Sequence, residues 1–254
     1  MSDKVLLRPS QINCYLQCSA KYMFQYVDKV KTGKSLALAF GSAVHKSIET
    51  NYTQKIESKT DLPVDEVVQT FADSFEEETK EVDRVEIISD PTSKDIGVGL
   101  VKKYHYEIAP TLQPKAVEQK VEATFQGYDF GITGTMDLLT TNKRIFDHKT
   151  ASKKNSTPPD SHVRQGSFYE LLAHAAGEEV EEVNFTYLVK TKSPQVYNET
   201  IQTDTKHALM MAQHVGNAAD KGVFIPMRDS FLCTKRFCSY WNECEKKFGG
   251  SVKP

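Results

Sequence analysis

The stretch that decides the reading is GTMDLLTTNKRIFDHKT, residues 134–150. It carries two aspartates, Asp137 and Asp147, and a lysine, Lys149, in the pattern of two short strands around a turn. With Thr141-Asn142-Lys143 as the turn, residue 140 faces 144, 138 faces 146, and Asp137 faces Asp147. Alternation then gives Ile132, Met136, Leu138 and Phe146 one apolar face, and Thr133, Thr135, Asp137, Asp147 and Lys149 the other. Directly opposed strand residues bring their Cβ atoms to about 4.5–5.5 Å. Two carboxylates that close repel unless a cation lies between them or one protonates. Hard oxygen ligands at that separation suit Mg²⁺ or Mn²⁺, and a lysine beside such a cation can stabilise developing negative charge or orient a water. The competing reading is a solvated hairpin face, because a D-x-K triplet alone is a weak motif.

The rest of the chain gives this hairpin a setting. Helical spacing follows Pro9-Ser10, with Ser10 as N-cap and Ile12, Tyr15, Leu16, Tyr22 and Tyr26 behind it. Further helices are predicted from Leu36 to about Ile56, from Val64 to Lys80, and over VGLVKKYHYEIA after a break at ISDPTSKDIGVG. After Pro114 the pattern changes to strands: KAVEQKVEATF, FGITGTMDLL and RIFDHKT. A loop, SKKNSTPPDS, precedes a helix ending at Gly177, then strands EEVNFTYLVKT and QVYNETIQT and a last long helix, TKHALMMAQHVGNAADKG. The expected fold class is therefore α/β, with a helical N-terminal region. Residues 1–112 form a mostly helical part carrying Cys18 and His45, 113–222 the core, and 223–254 a cysteine-rich tail, all in one domain.

Composition narrows the function class. The chain has 254 residues, 39% hydrophobic and 26% charged, with a net charge of −2. That balance neither demands nor forbids a nucleic-acid partner, since acidic residues can mask a local basic groove. No apolar run approaches the roughly 20 residues of a membrane helix, so no membrane is expected. The N-terminus lacks the pattern of a secretory signal, which places the chain in a reducing cytoplasm. There the five cysteines point to thiols, metal or a cluster rather than disulfides. TGKS at residues 32–35 lacks the upstream glycine of a phosphate loop, where Asp28 stands, so no ATPase motor is indicated.

Two further motifs bear on the hairpin. QGSFY places Gln165 and Tyr169 four apart, on one helix face, where they can bond a phosphate or stack on a base. GSAVH places Gly41 one turn before His45. Lys143, Arg144, Lys149, Lys153, Lys154 and Arg164 surround the hairpin in sequence and, if gathered in space, offer phosphates a path.

GSAVH, GTMDLL, FDHKT and QGSFY, in that order, resemble the PD-(D/E)xK nuclease superfamily in its RecB-like branch. The resemblance spans roughly residues 10–244. It implies a restriction-endonuclease-like mixed sheet flanked by helices. It also implies a Mg²⁺ or Mn²⁺ ligated by His45, Asp137, Asp147 and the backbone carbonyl of His148, with Lys149 acting on the attacking water. Gln165 and Tyr169 would orient DNA and Lys149. Glu118 or Glu122, on the preceding strand, would support the site, and the sequence does not choose between them.

Cys233, Cys238 and Cys244 cluster near the C-terminus, while Cys14 and Cys18 lie one helical turn apart near the start. One early cysteine with three late ones resembles the iron–sulfur staple of RecB-like exonucleases. SQINCYLQC resembles their first helix and selects Cys18. The tail spacing, C-x₄-C-x₅-C, departs from the commoner C-x₂-C-x₅-C. The resemblance implies a four-iron, four-sulfur cluster, and a DNA exonuclease acting on single-stranded ends with 5′ to 3′ polarity. It would serve phage DNA processing, recombination or CRISPR adaptation, with helicase, annealing or adaptation proteins as partners. The alternatives are a site-specific or structure-specific endonuclease of the same fold, and a catalytically silent DNA-binding protein with a zinc staple.

Overall fold

The structure, a computed structural model, describes residues 5–82, 90, 92–154, 156–191 and 193–249. Its elements in chain order are β1 (Val5–Leu7), α1 (Pro9–Gln17), α2 (Ser19–Tyr22), α3 (Leu36–Ser58), α4 (Val64–Thr79) and α5 (Ser93–Glu107). Then come β2 (Pro114–Thr124), β3 (Phe130–Thr140), β4 (Arg144–Ala151), α6 (Asp160–Ala175), β5 (Glu182–Val189), β6 (Gln195–Ile201), α7 (Thr205–Asp220) and α8 (Trp241–Phe248). The chain divides into two compact units that interleave in sequence.

The larger unit comprises Gly33–Val121 and Thr135–Thr203. Its sheet order is β3-β4-β5-β6, antiparallel, parallel and antiparallel in turn, with β2 also on β3. The parallel step needs a crossover, and α6 supplies it. The expected hairpin register is found: Leu138 pairs with Phe146 and Leu139 with Ile145. The three-residue turn fits it, with Lys143 left-handed at φ 59° and the Thr140 hydroxyl accepting the Arg144 N–H at 3.0 Å. One sheet face buries Leu138, Phe146 and Leu188 with Phe40, Tyr52, Phe71, Leu100 and Tyr104 from α3, α4 and α5. The other carries α6. A side chain at Gly166 would meet Ile201 at 2.3 Å and Val183 at 3.0 Å, so glycine lets this helix lie against β5 and β6. The mixed sheet flanked by helices is the architecture the resemblance implied.

The smaller unit comprises Met1–Thr32, Glu122–Gly134 and Asp204–Pro254. Here β1 runs parallel to the first part of β3, Val5 beside Phe130 and Leu7 beside Ile132. Three residues are too few to show a period, so the sequence did not announce this strand. Its core gathers Ala20, Met23, Phe24, Tyr240 and Cys244, with the Phe24 and Tyr240 rings stacked at 5.9 Å.

Three boundaries differ from expectation. The first helix is capped by Arg8 rather than Ser10, because Pro9 occupies the first helical position, where its missing N–H costs nothing. The expected continuation through Tyr26 breaks at Cys18, which is extended (φ −165°, ψ 107°), and resumes as α2 and a π-helical turn, Met23–Val27. The break expected over residues 88–99 is shorter, since α5 begins at Ser93. Its early glycines are tolerated because Gly97 lies against the Phe71 ring, where a Cβ would sit 2.0 Å from Cζ. Residues 88, 89 and 91 of that stretch lie outside the described residues.

Candidate active site

Three elements bring three ligand-bearing side chains together. His45 comes from α3, Asp137 from β3 and Glu118 from β2. Their ligand atoms all lie within 4.8 Å of one another. Asp137 Oδ2 accepts the backbone N–H of His148 at 2.8 Å, and it lies 3.3 Å from His45 Nδ1 and 3.4 Å from His148 Nδ1. Burial alone would raise this carboxyl. The hydrogen bond from His148 and the charge of His45 outweigh it and hold Asp137 at about 2. Glu118 shows the opposite balance. Desolvation, then the charge of Asp137, push it up to about 7, although the residue as a whole is exposed. A pair of carboxylates at such cost is what a cation relieves, and an imidazole nitrogen with two carboxylate oxygens is a donor set for a divalent cation.

Asp147 is turned to other partners. It is 1% exposed, its Oδ2 lies 2.6 Å from Lys149 Nζ, and its Oδ1 accepts from Gln165 Nε2 at 3.2 Å. Gln165 Nε2 also donates to the Tyr169 hydroxyl at 2.6 Å. Burial raises the Asp147 carboxyl, opposed first by Lys149 and reinforced by Asp137. Lys149 Nζ lies 5.6 Å over the Phe185 ring, on the strand next to β4. Helix α6 reaches this face because Gly166 lets it approach, which carries the neighbouring Gln165 into range of Asp147.

The two groups act on one another: Asp147 feels the charges of Asp137 and His45, and Asp137 that of Lys149. Asp147, Lys149, Gln165 and Tyr169 form one group on the α6 face, while His45, brought by α3 on the other face, meets Asp137 and Glu118. Where the Leu138–Phe146 pairing would continue, the Asp137 side chain takes the His148 N–H instead. His148 contributes its side chain as well: the buried ring bonds Tyr104 through Nε2 at 2.7 Å. The sequence left Glu118 undecided against Glu122, because residues four apart on a regular strand share a face. At Glu118 the backbone is left-handed, φ 48°, so the alternation is broken there.

The open groove over Asp137, about 930 Å³, is lined by His45, Glu49, Asp73, Glu77 and Glu118 among others. It is acidic, so it receives a cation more readily than a bare phosphate. The basic residues do not gather around it. Lys143 pairs with Glu179 at 2.5 Å, Arg144 lies over Phe146, and Lys154 lies over Tyr197. Arg144 begins β4, about 17 Å of strand from Lys149, and Lys143 lies in the turn before it.

The cysteines form a separate feature of the smaller unit. Cys18, Cys233, Cys238 and Cys244 line one cavity of about 170 Å³ with Phe24, Met227 and Trp241. The extended backbone at Cys18 frees its sulfur to accept the Met227 N–H at 3.5 Å. Cys244 is raised by burial and then by the charges of Cys18, Cys233 and Cys238. Cys14 turns away toward Gln25 at 3.8 Å, and burial pushes its thiol up to about 11.

A family model described as the PD-(D/E)XK nuclease superfamily matches residues 7–245. The chain belongs to that superfamily. Its nuclease fold also matches a solved structure named "Putative exonuclease", from Eubacterium rectale, with a TM-score of 0.59, 11% identity, and 98% of this chain and 90% of that one covered. A second solved structure, SSO0001, aligns over 95% of this chain and 96% of its own at 14% identity, with a TM-score of 0.40. None of the curated proteins matches the sequence. Membership makes the protein a nuclease, implies a divalent metal and makes DNA the substrate. Among the described residues no helix is long and apolar enough to cross a membrane.

Proposed function

We propose that this nuclease is a DNA exonuclease that hydrolyses phosphodiester bonds at single-stranded ends, with 5′ to 3′ polarity, and that an iron–sulfur cluster staples its smaller unit. The observation that carries the catalytic part is the convergence of His45, Glu118 and Asp137 within 4.8 Å, in the unit that also holds Asp147, Lys149 and Gln165. A divalent cation held by His45, Glu118 and Asp137, with Asp147 as the neighbouring carboxylate, would supply Lewis acidity to the phosphate and lower the pKa of a water. Lys149, 25% exposed, donates toward the attacking oxygen and offsets charge building on the phosphate. Asp147 and Gln165 hold Lys149 in place, and Tyr169 fixes Gln165. Water forms the new P–O bond and gives up a proton to solvent, the bridging P–O bond breaks, and the leaving alkoxide takes a proton from a second water.

The end preference is supported by the resemblance of the cysteine framework to RecB-like exonucleases. For the staple, four thiols that would repel one another when ionised line a cavity several times the roughly 30 Å³ share of one water. Iron–sulfur clusters and zinc both take thiolates, but a zinc site draws its four sulfurs tightly around one ion.

End-labelled single-stranded DNA, linear duplex and closed circles, incubated with Mn²⁺ or Mg²⁺, test the activity. Wild type should shorten single strands from the 5′ label, and Asp147→Ala and Lys149→Ala should not. Equal behaviour of all three proteins would sink the nuclease assignment of these residues, and cleavage of closed circles would make the enzyme an endonuclease. Anaerobically purified protein should be brown and contain iron; a colourless protein with one zinc removes the cluster.

A further inference from the structure

Two tyrosines far apart in sequence meet behind Asp137. The Tyr52 hydroxyl on α3 lies 2.7 Å from the Tyr104 hydroxyl on α5, and that hydroxyl lies 2.7 Å from His148 Nε2. The His148 Nδ1 faces Asp137 Oδ2 at 3.4 Å. Tyr52 is 0% exposed, Tyr104 2% and His148 2%. Both rings pack within the apolar cluster of Phe40, Leu100 and Leu138, where phenylalanine would fill the same space without burying an oxygen. A polar chain kept in such a place is costly unless every member is satisfied.

The hydrogen bonds have one consistent direction. Asp137 Oδ2 already accepts the His148 backbone N–H, so the imidazole nitrogen facing that oxygen carries the proton; a lone pair there would oppose it. Nε2 is then an acceptor and takes the Tyr104 O–H. With its proton committed, Tyr104 accepts from Tyr52. Burial raises both phenols, so both keep their protons to donate. The imidazole Nδ1 approaches Asp137 Oδ2 as a polar contact at 3.4 Å, and the hydrogen bond to that oxygen comes from the backbone N–H of His148 at 2.8 Å.

We propose that Tyr52, Tyr104 and His148 form a positioning relay that fixes the His148 tautomer and aims the Asp137 carboxylate at the cation. The relay rests on the cation site proposed above. Partners of this kind behind a ligand typically change metal affinity by about 10–100-fold.

The test measures Mn²⁺ affinity by calorimetry and by the Mn²⁺ spin-resonance signal, together with ¹⁵N spectra of histidine-labelled protein. Signals of His148 are identified by their loss in His148→Gln. In wild type, Nδ1 should be protonated and Nε2 bare. Tyr104→Phe should weaken Mn²⁺ binding about tenfold and give a tautomer mixture at His148. Tyr52→Phe, one step further away, should move both readouts the same way by less. The double variant should be no worse than Tyr104→Phe, because Tyr52 acts only through Tyr104. If Tyr104→Phe does not fold, Tyr52→Phe carries the test alone. Wild-type affinity with an unchanged tautomer in the folded tyrosine variants overturns the relay. Failure of wild type to bind Mn²⁺ overturns the cation site itself.

Discussion

The two candidate centres are built in contrasting ways. In the larger unit every functional side chain stands on a regular element: His45 on a 23-residue helix, Asp137, Asp147 and Lys149 on paired strands, and Gln165 and Tyr169 on α6. In the smaller unit three of the four cysteines that line the cavity stand where regular structure fails, and only Cys244 stands on a helix, α8. Cys18 occupies the joint between two short helices, and Cys233 and Cys238 lie in the irregular segment before α8. Sites on packed elements are held by the fold before any ligand arrives. Thiols on irregular chain gain order from what they bind. The first centre should thus lose function when a residue changes, and the second should lose structure.

The largest expected effect tests that contrast at the catalytic end. Asp147→Asn and Lys149→Ala should each lower the cleavage rate by about 10²–10³-fold or more, and Asp147→Asn should leave the melting temperature of the larger unit nearly unchanged. A rate within tenfold of wild type in either variant would remove that residue from the chemistry. At the structural end, Cys18→Ser should lower the melting temperature of the smaller unit by about 10 °C, as an early step in calorimetry. One unshifted transition would show that the thiols hold nothing. Next, Glu118→Gln should weaken Mn²⁺ binding about tenfold in titration calorimetry without lowering stability. Unchanged affinity would return the ligand set to His45 and the aspartates.

Two smaller effects sharpen the account of the larger unit. Gly166→Ala should force α6 off β5 and β6, destabilise by about 1–3 kcal/mol, and slow cleavage by pulling Gln165 from Asp147. Full activity at lowered stability would make Gly166 a packing residue only. The smallest concerns His162, whose ring stacks on Phe185 at 5.1 Å and whose Nδ1 lies 2.8 Å from the Tyr187 hydroxyl. Burial, then the charge of Lys149, lower it from 6.5 to about 4. The folded state thus binds fewer protons than the unfolded state across that window, so this contribution to stability is present above pH 6.5 and is lost as pH falls toward 4. His162→Gln should flatten the fall of the denaturation midpoint over that range. An identical slope in the variant would rule the histidine out.

How much of this was legible follows from which signals are periodic. The hairpin register could be read because turn residues and strand alternation agree at Leu138 and Phe146. Gln165 and Tyr169 could be paired because helical spacing places residues four apart together. Glu118 could not be chosen, since a left-handed residue inside a strand leaves no mark on composition. His148 entered only through the resemblance, as a backbone carbonyl, and its ring, buried against Tyr104, was not foreseen. Tyr52 and Tyr104 read as core aromatics, and nothing local links residues that meet only when α3 and α5 pack. The break at Cys18 was hidden by aromatic residues that keep helical spacing across it.

The backbone at Glu118 has a consequence for how such an enzyme changes over time. A left-handed residue with a Cβ costs roughly 1–2 kcal/mol, and its carboxylate adds repulsion against Asp137. Glu118→Gly would relieve both, returning only part of the gain to chain entropy. Selection for thermal robustness alone would discard this residue early, along with the cation it is proposed to hold. On the proposed ligand set, stability and turnover are set against each other at a single backbone angle.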